Sequence, residues 1–289
     1  MSFPLDPETI ESAFVSACHW ELQALKPGNV HIHGGGHNMD VSHFERAAVA
    51  AGPFIADSAL GVGGRILSAV SASMAAAGCN TNLGIILLSA PLAVAASVPE
   101  GPQDLRVRLT GVLDTLDLSD ADEAFRAIVL ANPAGLGGAE EGDVSQPPTL
   151  TLGEAMHLAA DRDRIARAYD TGFEDIFTFA LPELYAARRA AQDEALAITA
   201  LHMALLSAFP DSHITRKYGA ESARALQQEV RSMTDLWRPA PRPETWPALV
   251  ELDRSLKARG LNPGTTADFV VATLFADRLI HPRATNGRS

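Results

Sequence analysis

Carboxylates and cations in this chain recur beside glycines and at helix starts, where a ligand can meet backbone and side chain together. The first group runs from Glu21 to Asp40. Ile10, Phe14, Ala17, Glu21 and Leu25 share one helical face through three- and four-residue spacing, so Glu21 lies on a stripe that should be buried. Either it snorkels outward near the helix end, or it points into an enclosed site. There, burial raises its pKa unless a cation or metal compensates. Lys26-Pro27-Gly28-Asn29 and Gly34-Gly35-Gly36-His37-Asn38-Met39-Asp40 follow as a polar loop. Its glycines permit positive φ and close backbone approach to a ligand. Lys26 offers a mobile charge, while His37 and Asp40 are suited to bind a metal or transfer protons. His31, His33 and His37 invite a zinc reading, but no acidic or cysteine partner stands at a diagnostic spacing.

Five further groups lie downstream. Asn80 and Thr81 precede a strongly apolar helix, where free N–H groups bind an anion or ribose hydroxyl, unless the two residues simply cap it. Asp143 closes a Gly- and Pro-rich stretch, Asn132 to Pro148, long enough for a lid. Asp163 reads as mid-helix beside Arg162 and Arg164, a pattern that a solvated charge cluster would also give. Asp211, His213, Arg216 and Lys217 fall within seven residues, and Asp268 sits in the first turn of the last helix, complementing its dipole. Walker A spacing, a Gly-x-Ser-x-Gly elbow and a His-Glu-x-x-His pair are all missing from the sequence. If the site handles a nucleotide, several carboxylates holding Mg²⁺, with Glu21, Asp143, Asp163, Asp211 and Asp268 as the candidates and Lys26, Arg216 and Lys217 as counter-charges, are the natural alternative.

Helices must position these groups. The 289 residues are 47% hydrophobic but only 6% aromatic, so Ala, Leu, Val and Ile dominate, which suits packed helices. Asp6-Pro7-Glu8 opens a helix to about Leu25, and Thr151-x-x-Glu154 is a capping box for one reaching Tyr169. Other helices read at 42–59, 65–77, 104–116, 120–131, 173–189, 193–208, 218–237, 246–259 and 266–280. Asn80 to Ala96 is apolar all round, as a central helix should be. The expectation is an all-α fold of about ten helices in a single domain, residues 1–280, with a flexible tail at 281–289. A formal charge of −12 argues against nucleic acid as a partner. Two cysteines exclude a disulfide framework, and no segment reads as a signal peptide or a membrane span. A cytoplasmic protein acting on small molecules, with a homodimer allowed, is expected.

The ordered set WELQALKPGNV, GGGHNMDVSHF, CNTNLGIILLSAPLA, PAGLGGAEEGDV, LTLGEAMHLAADRDRIARAYDTGF, PDSHITRKYGAES and NPGTTADFVVATLF resembles the triphosphoribosyl-dephospho-CoA synthase family, ATP:dephospho-CoA triphosphoribosyl transferases, from about Trp20 to Phe275. The resemblance implies an all-α transferase that binds ATP with Mg²⁺. Adenine leaves the ribose anomeric carbon, and a hydroxyl of dephospho-CoA takes its place. By motif position it places Glu21, Lys26, Asp40, Asn80, Asp143, Asp163, Asp211, Arg216, Lys217 and Asp268 at the site. Glu21, His37, Asp40 and Asp143 are the catalytic candidates, and Lys26, Asn80, Thr81, Arg216 and Lys217 the nucleotide contacts. The chain departs from the family pattern in two places. It reads His37-Asn38-Met39-Asp40 for His-x-Asp-Met, and Asn80-Thr81-Asn82-Leu83-Gly84 for Asn-Thr-His-Lys-Gly. A paralogue serving another cofactor, such as a tetrahydromethanopterin-type carrier, and a non-catalytic nucleotide-binding protein are the alternatives. Glu21→Gln is expected to abolish activity with little loss of melting temperature.

Overall fold

Asp6 sets the start of the first helix. Its carboxylate accepts from Thr9 N at 2.8 Å, and Pro7 takes the first position, where a missing N–H has no intrahelical partner to lose. The computed structural model describes residues 3–34, 41–133 and 143–282. His37, Asp40, nearly all of the Gly-rich stretch before Asp143 and the last seven residues lie outside the described residues. Fifteen helices are described: α1 (Pro7–Gln23), α2 (Val41–Ala56), α3 (Val62–Ala77), α4 (Leu83–Ser97), α5 (Leu105–Leu113), α6 (Leu118–Ala131), α7 (Leu152–Ala159) and α8 (Arg164–Asp170), then α9 (Leu181–Ala190), α10 (Glu194–Ala208), α11 (Ser212–Tyr218), α12 (Ala220–Ser232), α13 (Thr234–Trp237), α14 (Trp246–Ala258) and α15 (Gly264–Ile280). A π-helical turn, Asp175–Ala180, leads into α9. Among the described residues the only β pairing is an isolated bridge between His31 and Gly34, so the fold is all-α, as expected.

Three segments differ from the sequence expectation. The helix expected over 151–169 is two helices, because Asp163 is not mid-helix: it caps α8, accepting from Ile165 N at 2.8 Å and Ala166 N at 3.2 Å. The segment Ser212–Tyr218 is a helix of its own, capped by Asp211 through Ile214 N at 3.0 Å. The helix expected over 218–237 ends at Ser232 and restarts at Thr234. In the first two cases a short aspartate bonds to its own backbone, which favours a helix start over a helix interior.

α4 lies in the core, with Ile85, Ile86, Leu87, Leu88 and Leu92 all buried. It is not the only central helix. α15 is buried along nearly its whole length, and α10 joins two apolar clusters. Ile198, Leu201 and Leu205 of α10 enter the larger cluster, with α1–α6, α8 and α15. Met203, Ala204 and Leu206 enter a smaller one with Leu226, Trp237, Leu249, Leu252 and Leu256 of α12–α14. Among the described residues no single helix is long and apolar enough to cross a membrane.

Pro91 interrupts the hydrogen-bond ladder inside α4, because it has no N–H to offer the carbonyl of Leu87. The buried Tyr169 hydroxyl of α8 supplies the missing bond, donating to Leu87 O at 2.6 Å. Tyr169→Phe should therefore strand a buried carbonyl and cost about 1–3 kcal/mol. Adding Pro91→Ala returns an N–H to Leu87 O and should recover most of that loss in urea unfolding. A double variant no more stable than Tyr169→Phe alone would refute this account.

Candidate functional site

Four helix starts meet at one place, and a single carboxylate joins two of them. Asp211 is buried at 2% exposure. Besides capping its own helix α11, it uses its second oxygen, Oδ2, to accept from Thr266 N and Thr266 Oγ1, both at 2.8 Å, at the start of α15. Arg164 N donates to Ser212 Oγ at 2.9 Å, pinning the start of α8 to that of α11. Asp163, the α8 cap, pairs through its other oxygen with Arg216 of α11. The start of α4 completes the group. A Cβ added at Gly84 would run into the carboxylate of Asp268 on α15 and come within 2.9 Å of Ile165 Cδ1 on α8. Asn80 caps this end of α4, its Oδ1 accepting from Leu83 N at 3.3 Å, and Thr81 follows it, half-buried.

The result is an acidic cluster with limited compensation. Asp268 accepts no hydrogen bond from any described residue. Desolvation, then the negative charges of Asp211 and Glu21, hold its carboxyl well above the usual range, against the pull of Arg216. Burial also pushes Asp211 up, opposed by the N–H groups of Ile214 and Thr266. Helix starts favour anionic side chains. That is why three aspartates can be gathered here at all.

Below them lies a buried ion pair. Glu21, at the end of α1, does point inward, and it is paired with Lys26. Burial pushes the Glu21 carboxyl up and the Lys26 ammonium down, each opposed by the charge of its partner. Lys26 is fully buried, so the mobile charge expected of it is instead fixed. Its Nζ also donates to Asn29 Oδ1 at 3.1 Å, and Asn29 Nδ2 donates to Asn262 Oδ1 at 2.7 Å. The Lys26–Asn29 and Asn262–Gly264 loops thus interlock. Gly28 is essential to this, since at φ +85° an added Cβ would sit 2.7 Å from Leu261 O and 2.9 Å from Pro263 Cδ.

The structure therefore gathers Glu21, Lys26, Asp163, Asp211, Arg216 and Asp268, with Asn80 and Thr81 at the adjoining helix start. It does not bring in Lys217, which is exposed with its ammonium 5.2 Å from the Tyr218 ring centroid. Asp143 closes a turn, accepting from Ser145 N and Oγ at 2.8 Å. His31 faces Asp253 and His33 faces Gln23 O, and no group of three potential metal-binding side chains occurs among the described residues. Sequence reasoning missed Asp253, Lys257 and His202. Asp253 carried the same signal as Glu21, since it lies on an apolar stripe with Leu249 and Leu256 at four- and three-residue spacing. His202 is fully buried on α10, and burial and the nearby Lys26 push it down to about 3, keeping the imidazole neutral.

A family model described as ATP:dephospho-CoA triphosphoribosyl transferase matches residues 7–286. A Pseudomonas savastanoi pv. phaseolicola protein assigned as 2-(5''-triphosphoribosyl)-3'-dephosphocoenzyme-A synthase is 28% identical over 172 residues, 58% of this chain and 57% of that protein. A protein of the same name from Pectobacterium atrosepticum is 28% identical over 123 residues, 43% of this chain and 39% of its own. The alignments thus span less than two thirds of these curated relatives. A crystal structure from Archaeoglobus fulgidus, assigned as a triphosphoribosyl-dephospho-CoA synthase, superposes with a TM-score of 0.63 at 25% identity, covering 82% of this chain and 99% of that one.

The Glu21–Lys26 pair changes the expectation for Glu21→Gln. Neutralising one partner leaves a buried ammonium uncompensated, which costs roughly 3–5 kcal/mol, the lower end applying because the amide oxygen still accepts a bond. The melting temperature should fall clearly, and Glu21→Gln combined with Lys26→Met should regain much of it. Equal stability of the single variant and the parent would show that the pair contributes nothing. Gly84→Ala should displace the Asp268 carboxylate and lower both stability and function; an unchanged melt would contradict the contact.

Proposed function

The chain belongs to the ATP:dephospho-CoA triphosphoribosyl transferase family, and from that premise we propose that it transfers the triphosphoribosyl group of ATP to a hydroxyl of dephospho-CoA with release of adenine. In this reaction the bond from the ribose anomeric carbon to adenine breaks and a bond to the acceptor oxygen forms. The acceptor gives up a proton, and the departing adenine gains one. Positive charge builds on the ribose as the bond stretches. Carboxylates held in place beforehand stabilise such charge without reorganising.

The observation that carries this reading is the convergence of Asp163, Asp211 and Asp268 on four helix starts. Asp163 and Asp211 have oxygens committed to backbone N–H groups, so they shape the field and hold Arg216 in place. Asp268, with no hydrogen bond from a described residue, is the carboxylate free to face the ribose or a cation. Mg²⁺ fits that donor set. It is commonly held by one or two carboxylates, with substrate phosphates and water completing its shell, and Asp268 meets that need. When bound, the ion would offset triphosphate charge. Arg216 and the start of α4 at Asn80 and Thr81 are the proposed phosphate contacts. His37, Asp40 and Asp143 are the proposed proton-transfer groups.

One feature favours the paralogue reading, in which the acceptor belongs to another cofactor. The start of α4 carries no cation: Asn82 is buried at 2% exposure, and Leu83 packs against the larger apolar cluster. Incubation with ATP, Mg²⁺ and dephospho-CoA, with adenine followed by chromatography, separates the readings. Adenine release only when a different hydroxyl acceptor is supplied would favour the paralogue. No release with any acceptor, and no ATP binding in calorimetry, would refute both.

Asp268→Asn removes a charge that repels Asp211 and Glu21. It should raise stability by about 0.5–2 kcal/mol, while adenine release falls on the order of a hundredfold. A variant that is both less stable and fully active would argue against this assignment.

A further inference from the structure

Lysine occurs at three positions in the chain, 26, 217 and 257. Two of these meet in one buried network behind the site. Asp253 on α14 is at its centre, with its side chain only 8% exposed. Its Oδ1 accepts from Gly28 N at 2.9 Å and faces His31 Nε2 at 3.2 Å, and its Oδ2 accepts from Lys257 Nζ at 2.9 Å. Lys257 also donates to Gly34 O at 2.9 Å. The segment 26–34 is thereby fastened to α14 near both of its ends. The first end carries Lys26, and the second is the last described position before the motif that contains His37 and Asp40.

The loop cannot hold this shape alone. Gly28 takes a left-handed φ that few residues adopt, and its N–H is buried, so without an acceptor it would carry the cost of an unmade hydrogen bond. The other ties do not reach the Gly28 N–H: Asn29 N donates to Lys26 O at 2.9 Å, Ile32 N to Leu22 O at 3.1 Å, and the Asn29 side chain to Asn262 Oδ1 at 2.7 Å. Asp253 is the one described carboxylate joining Gly28, His31 and Lys257. These bonds hold its carboxyl below the usual range despite its burial, so it remains charged.

We propose that Asp253, assisted by Lys257, is a positioning residue that clamps the 26–34 loop to α14, keeping Lys26 closed on Glu21 near Asp268. Its functional consequence rests on the transferase reading above; its geometric consequence does not.

The three lysines make the clamp directly measurable by labelling the full-length protein with an amine-reactive ester and mapping peptides by mass. In the parent, exposed Lys217 should react quickly and Lys26 hardly at all. In Asp253→Leu, Lys26 should react at least about tenfold faster through local opening of the loop, with Lys217 unchanged. Asp253→Asn keeps an oxygen for Gly28 N–H and should restore most of the protection. If Asp253→Leu fails to fold, Lys257→Met carries the test, since it frees Gly34 O and should also speed labelling at Lys26. Lys26 labelling as slow as in the parent, in either folded variant, overturns the clamp. Hydrogen exchange on the unaltered protein gives a second reading: the Gly28 amide should be protected like those of α14, and exchange at the rate of an open loop also overturns it. With adenine release as the assay, Asp253→Leu should lower kcat on the order of a hundredfold through misplacement, with KM for ATP little changed. If the parent releases no adenine, the transferase reading fails while the labelling result still decides the clamp.

Discussion

A buried aspartate that caps two helices at once organises this molecule. Asp211 gives one oxygen to the N–H of Ile214 in its own helix and the other to the backbone and hydroxyl of Thr266 in α15. Hydrogen bonds to a charged acceptor contribute about 1.5–3 kcal/mol each, more than a neutral cap would. The spacing between α11 and α15 is thereby fixed within hydrogen-bonding tolerance. Arg216, at the end of α11, and Asp268, one turn into α15, inherit that fixed relation.

The same arrangement places a group under stress. Asp268 stands near Asp211 and Glu21 with no donor of its own among the described residues, and desolvation adds to their repulsion. Apolar packing around α4, α10 and α15 gives the chain the stability to tolerate this. Poorly compensated charge on a half-buried group is characteristic of functional sites, where groups are held ready for a charge that a ligand brings. Glu21 and Lys26 lie deeper and are neutralised by each other. Both are buried, and Lys26 is held on Glu21 and Asn29.

A second polar group supports that pair from α14, which belongs to the smaller apolar cluster. Asp253 and Lys257 hold one loop, and Asn29 and Asn262 tie that loop to the one before α15. The two apolar clusters meet through α10, whose neutral, fully buried His202 lies close to Lys26. Shifts in α12–α14 would therefore be felt at Lys26 through hydrogen bonds as well as through packing.

The sequence by itself determined the helices and most of their starts, because capping and amphipathic periodicity act within four residues. Asp6, Thr151 and Asp193 begin helices where their side chains reach the nearby N–H groups. Spacing put Glu21 on the apolar stripe, and the tertiary structure decided that it points inward onto Lys26 rather than snorkelling outward. From sequence, Asp163 read as mid-helix although it caps α8, because the break between α7 and α8 leaves no mark in a local window. Only the tertiary structure decided that Asp163 and Asp211 cap helices whose starts stand beside Asp268. Only packing decided which helix starts meet, that Gly84 must be glycine under Asp268, and that Tyr169 repairs the gap left by Pro91. Asp253, Gly28 and Gly34 come together from opposite ends of the chain, and no local pattern encodes such a contact. Local hydrogen bonds made the elements, and long-range burial of charge and backbone chose their neighbours.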